Sequence, residues 1–91
     1  MRLDLFLKRS RLISRRTLAQ QACAAGAVSV NGQVSKGGKS IQVGDLIECR
    51  QRLGTLRVKV ARLPGSDTRR IEAASLYEVL GSAEVDREQE R

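Results

Sequence analysis

The sequence contains no histidine, no tryptophan, and only one phenylalanine and one tyrosine among its 91 residues. Without histidine, its two cysteines, Cys23 and Cys49, cannot complete a four-ligand zinc shell within one chain. No metal and no other cofactor is expected. The scarcity of aromatics excludes the base-stacking platforms with which RRM and OB folds hold single strands. It also restricts the core to Leu, Val, Ile and Ala, a light core suited to one small domain. No apolar run approaches the ~20 residues of a membrane helix. Asp4, Lys8, Arg9 and Arg11 interrupt the early apolar residues, so no secretory signal is visible. The expectation is a cytoplasmic chain with no membrane partner. In that compartment both thiols read as small buried apolar residues rather than as a disulfide. No carboxylate pair is clustered ahead of the C-terminal tail, and no nucleophile has an evident base. The chain is therefore not expected to be an enzyme.

What the chain has in excess is positive charge, with 17 Lys and Arg against 10 Asp and Glu, a net +7. The first 20 residues carry six basic side chains, five of them arginine, and one acidic one. Residues 71–91 reverse the balance, with two basic and six acidic side chains. A basic body on so small a domain points to a polyanionic partner. Arginine points to phosphate in particular, because its planar guanidinium presents a fork of donors.

Hydrophobic spacing supplies the elements. Leu3, Phe6 and Leu7 follow i, i+3, i+4, which predicts a short helix over residues 2–9, with Lys8, Arg9 and Arg11 standing off the apolar stripe. Ser14 is a good N-cap for a second helix over 15–25, whose expected stripe is Leu18, Ala22 and Ala25 and which Gly26 ends. Val28 and Val30 begin a strand, and Asn31-Gly32 is a tight hairpin turn. Residues 35–40 read as a flexible basic loop, and Gly44-Asp45 as another turn. Leu46–Arg50 and Leu56–Ala61 alternate as strands, with Ile47 and Cys49 on one face of the first, and Leu56, Val58 and Val60 alternating with Arg57, Lys59 and Ala61 in a half-buried second with a basic outer face. After Pro64-Gly65, a final short helix capped at Asp67 or Thr68 is expected, with Ala73, Leu76, Tyr77 and Leu80 on one face; a strand over Leu76–Leu80 is the competing reading. Residues 82–91 read as a disordered acidic tail. The fold class is α+β, with one domain over residues 1–81.

Arg15 and Arg16 sit in the first turn of the second helix, where a helix built for stability alone would carry an acid. Free backbone amides in the same turn attract phosphate, so the pair reads as an anion site. Arg2 can sit beside the same face. Asp4 is a dipole partner of the first turn or an ion-pair mate for an arginine, and has no catalytic partner. The loop from Lys36 to Lys39 lacks the spacing of a nucleotide-binding P-loop. It is either a flexible phosphate contact or a plain surface loop. With few aromatics, recognition has to rest on the backbone and shape of folded RNA.

Taken together, Arg2-Leu3-Asp4, Phe6-Leu7, the run Ser14 to Ala19, the run Gly26 to Gly32, Lys36 and Val43-Gly44-Asp45 resemble the RNA-binding domain named after small-subunit ribosomal protein S-four. The motif covers about residues 1–60. The resemblance implies two helices on a small, bent antiparallel sheet, with the helix face and adjoining loops holding structured RNA. Within that family, the start through Leu18 and the segment Glu72 to Tyr77 resemble the stand-alone members of ribosome-associated quality control, relatives of heat-shock protein fifteen. Such members bind large ribosomal subunits obstructed by peptidyl-tRNA. They touch rRNA and the P-site tRNA while a partner factor directs C-terminal alanine tailing of the stalled chain. By matching positions, the resemblance makes Arg2 and Arg16 the first RNA contacts, followed by Arg11, Arg15, Lys8 and Lys36. A monomer is expected. Two alternatives remain: a heat-shock-type factor that recycles dissociated large subunits without tailing, and an adaptor whose basic face docks an acidic protein.

Overall fold

Leu3, Phe6 and Leu7 are completely buried, and they turn the first segment into helix α1, Leu3–Arg9. The computed structural model describes residues 1–52, 54–64 and 73–82. Helix α2, Arg16–Ala24, follows and packs on α1. Five antiparallel strands complete the fold: β1 Val28–Val30, β2 Gln33–Val34, β3 Leu46–Gln51, β4 Gly54–Val60 and β5 Tyr77–Ser82. Their order across the sheet is β2-β1-β3-β4-β5. The α+β class expected from the sequence is the one observed.

Strand alternation places the core. Val28, Val30, Ile47, Cys49, Val58 and Val60 point inward and join Leu3, Phe6, Leu7, Ala19 and Cys23 of the helices in one buried cluster. Ser29, Glu48, Arg50, Arg57 and Lys59 alternate with them along the same strands and form the outer face. Asn31 and Gly32 both take positive φ, 53° and 86°, which gives the tight turn between β1 and β2 that the pair predicts. Both cysteines are free and buried. Burial pushes the Cys49 thiol up to about 11, with Cys23 adding to the effect. The Cys23 thiol is raised by burial and then by the charge of Asp4.

The ends of α2 divide the expectations. Gly26 adopts φ 80° just past the helix; its N–H donates to the Cys23 carbonyl, and the Ala27 N–H donates to that of Ala22. This is the paired closure that a left-handed glycine permits. At the other end Ser14 is not the cap. The N-cap is Arg15, in extended conformation, and no side chain caps the helix. The buried stripe is also rotated from the expected one. Ala19 and Cys23 are buried, while Leu18 is 46% exposed. An alanine-rich helix offers several apolar stripes of similar quality. The small residues of this one allow close approach to α1, which Leu18 would prevent.

Two further expectations change. The loop 35–40 is not loose: it is bonded along the start of α1, with Ser40 bridging to Arg2. The C-terminal residues Tyr77–Ser82 are strand, the competing reading, preceded by a single 3-10 turn over Ala73–Leu76. Apolar spacing over 76–80 fits both periods, and pairing with β4 decides it, with Val60 opposite Tyr77 and Lys59 opposite Glu78. The cap positions Asp67 and Thr68 and the tail beyond Ser82 lie outside the described residues.

Candidate nucleic-acid interface

The start of α1 has backbone amides with no partner inside the helix. Here the basic loop supplies them: Leu3 N–H donates to the Lys39 carbonyl at 2.8 Å and Asp4 N–H to that of Gly37 at 3.0 Å. Ile41 N–H in turn donates to the Met1 carbonyl at 2.9 Å. Lys36 and Lys39, both exposed, are therefore carried on a segment fastened to α1.

The α2 start is different. The amides of Arg16, Thr17 and Leu18 make no hydrogen bond with any described residue. No acidic residue lies in that turn. Moving the cap from Ser14 to Arg15 thus leaves the donors of the first turn open beside two arginines, an arrangement that favours an anion.

Asp4 joins the two helices. Its carboxylate is fully buried and receives Arg2 Nε on Oδ1 at 3.2 Å, Arg2 Nη2 on Oδ2 at 3.3 Å and Gln20 Nε2 on Oδ2 at 3.1 Å. Arg16 Nε lies 3.7 Å from Oδ2, an ion-pair distance. Burial pushes the carboxyl up. The hydrogen bonds from Arg2 and Gln20 and the charges of Arg2 and Arg16 outweigh that and hold it below its ordinary value. The side chains of Arg2 and Arg16 stay 54% and 45% exposed, so their remaining donors face solvent.

The structure therefore gathers Arg2, Arg16 and the Lys36 loop around one carboxylate. It does not tie Lys8, Arg11 or Arg15 to that cluster through any contact among the described residues. Lys8 lies in the last turn of α1, about 9 Å along the axis from Arg2. Arg11 follows the end of α1 with a left-handed φ of 64°. Ser10 closes that end, its hydroxyl donating to the Leu7 carbonyl and accepting from the Leu12 N–H. Arg15 is exposed at the α2 cap. Sequence reasoning named the Lys36–Lys39 loop only as a flexible contact or plain surface loop, and it missed Gln20 and the close approach of Gly37 to Asp4. The spacing of Gln20 four residues after Arg16, on the same helical face, was the available signal for the first.

A shallow groove of about 120 Å³ opens on the outer sheet face between Gly26, Ser29, Val34, Glu48 and Arg50. Its charges are occupied: Arg57 Nε donates to Glu48 at 2.9 Å and Arg50 Nη2 to the Gly26 carbonyl at 3.2 Å. Among the described residues no cluster of His, Cys, Asp and Glu is placed to hold a metal, and no helix is long and apolar enough to cross a membrane.

Residues 1–47 match the S4 domain family model. An RQC P-site tRNA stabilizing factor of Halalkalibacterium halodurans is 46% identical over 81 residues, covering 87% of this chain and 89% of that protein. The factor of the same name from Bacillus subtilis is 42% identical over 82 residues, covering 88% and 92%. Among solved structures, the trimeric heat shock protein 15 of Vibrio cholerae superposes with a TM-score of 0.81 at 27% identity, covering 99% of this chain and 90% of that one.

Proposed function

This chain belongs to the S4-domain family, among the relatives of the RQC P-site tRNA stabilizing factors, and on that premise we propose that it holds tRNA on large ribosomal subunits obstructed by peptidyl-tRNA. The role is positional, not catalytic. Arginine–phosphate contacts fix the P-site tRNA relative to the rRNA, and so support C-terminal alanine tailing by a partner factor on the same subunit. Arg2 and Arg16 make the central contacts, while Arg15, Lys36, Lys8 and Arg11 extend the footprint along the helix face. The acting unit is a single cytoplasmic copy, formed by residues 1–81. The trimer of the Vibrio relative makes the sedimentation coefficient of the free chain the measurement that would overturn the monomer.

One observation carries the reading: two half-exposed guanidiniums share a single buried carboxylate beside the uncapped start of α2. Such a cluster presents several phosphate donors in fixed relative positions. The test is gradient sedimentation with stalled large subunits, followed by crosslinking and sequencing of the bound RNA. Co-migration with crosslinks to both tRNA and rRNA is expected. A chain that stays at the top of the gradient, or binds through RNase-insensitive protein contacts, overturns the reading. The likeness to heat shock protein 15 favours one second reading, subunit recycling without tailing. Mass spectrometry of stalled chains separates the two, since tailing leaves C-terminal alanines that depend on this protein.

A further inference from the structure

A carboxylate on a face that meets phosphate works against binding by charge alone. Asp4 stands at the centre of that face, and opposing the α1 dipole does not require its burial, because an exposed first-turn acid does the same. Three elements close on it. Arg2 comes from the α1 cap, Arg16 and Gln20 from α2, and Gly37 from the basic loop. Gly37 makes the approach close: a Cβ there would lie 3.1 Å from Asp4 Oδ2 and 3.2 Å from its Cβ, tight enough that Asp4 would have to give by a few tenths of an ångström. Arg2 commits Nε and Nη2 to the carboxylate, and Arg16 turns its Nε toward it. Arg2 Nη1 and both terminal nitrogens of Arg16 have no partner among the described residues. A free arginine loses rotamer freedom when it binds phosphate, whereas one already held on a buried acid has less left to lose.

We propose that Asp4, seated by Gln20, is the positioning residue of the RNA site, and that its removal weakens binding although it makes the face more positive. This rests on the RNA-binding reading above and names the group that sets its geometry. A purely electrostatic face gives the opposite sign, since deleting an acid beside phosphates strengthens attraction.

The test uses the full chain, its Asp4→Asn and Gln20→Ala variants, and stalled large subunits carrying peptidyl-tRNA as the probe. Arginine Nε–H spectra of the free proteins report the geometry without RNA. Two shifted, slowly exchanging signals are expected in the unsubstituted chain, and their collapse onto the solvent-exposed set in Asp4→Asn. Affinity should fall about tenfold in Asp4→Asn and about threefold in Gln20→Ala, an exposed side chain whose loss spares the core. A folded Asp4→Asn variant that binds as tightly as the unsubstituted chain, or tighter, overturns the proposal. If Asp4→Asn does not fold, unchanged spectra and affinity in Gln20→Ala overturn it instead. An unsubstituted chain that does not bind overturns the RNA-binding reading and this role together. Binding undiminished by either variant overturns the role alone.

Discussion

The helix face and the outer sheet face both carry basic side chains and use them in opposite ways. On the sheet, acid and base stand side by side at the surface. Glu48 and Arg57 are cross-strand partners joined at 2.9 Å, and Lys59 lies opposite Glu78 in register. Their fields cancel before they reach a partner, and each exposed pair adds under about 1 kcal/mol of stability. On the helix face the acid lies beneath the bases. Asp4 is buried, Arg2 and Arg16 project over it, and Arg15, Lys36 and Lys39 are exposed around them. Counting charge therefore does not by itself describe a binding surface. The depth at which the counter-charge sits matters as well.

The largest effect that could break this contrast is charge reversal. Arg15→Glu with Arg16→Glu should lower affinity for large subunits at least about 100-fold, by losing phosphate contacts and introducing repulsion. Arg57→Ala, on the sheet face, should change it less than about twofold. Equal losses in a sedimentation or filter-binding assay would abolish the distinction between the faces. Salt sharpens it next. If about five phosphates are engaged, a plot of log affinity against log salt should have a slope on the order of −3 to −5. Arg16→Ala should flatten that slope by about one, and Arg57→Ala should leave it alone. A slope near zero for the unsubstituted chain removes the electrostatic account. The smallest effect concerns acid. Asp4 titrates in the fold below its ordinary value of 3.8, so it stabilises the native state at neutral pH. That contribution begins to fade as pH falls through its unfolded value and is gone below the folded one. Melting temperature should therefore drop on acidification from about pH 5 to about pH 3, by less in Asp4→Asn. An identical acid profile in the two proteins would show that Asp4 is not held as an ion in the fold.

Much of this contrast was legible in the sequence, because it follows from local rules. The α1 stripe, the Asn31-Gly32 turn, the Gly26 stop and the inward set of β3 and β4 depend on neighbours within a few residues. The face of α2 was not legible, since alanines make several stripes equivalent until a neighbouring helix chooses one. The strand at Tyr77–Ser82 required β4 as a partner. The grouping of Arg2 with Arg16 was foreseen only as a shared face. The Gln20 bond to Asp4 spans 16 residues, and the seat beneath the basic loop is made by backbone carbonyls that no residue type announces. The interface was thus readable as a set of cations and unreadable as a geometry.

Arg11 bears on what such a surface demands of its scaffold. It holds φ at 64°, the left-handed region where glycine is at ease and other residues are disfavoured by about 1 kcal/mol or more. It does so directly after α1, where a glycine would end the helix without strain. Glycine there would make a sturdier chain with one cation fewer. If the footprint reaches this corner, the residue is a recorded compromise: selection for contact and selection for durability pull it in opposite directions, and the backbone keeps the trace of which one prevailed.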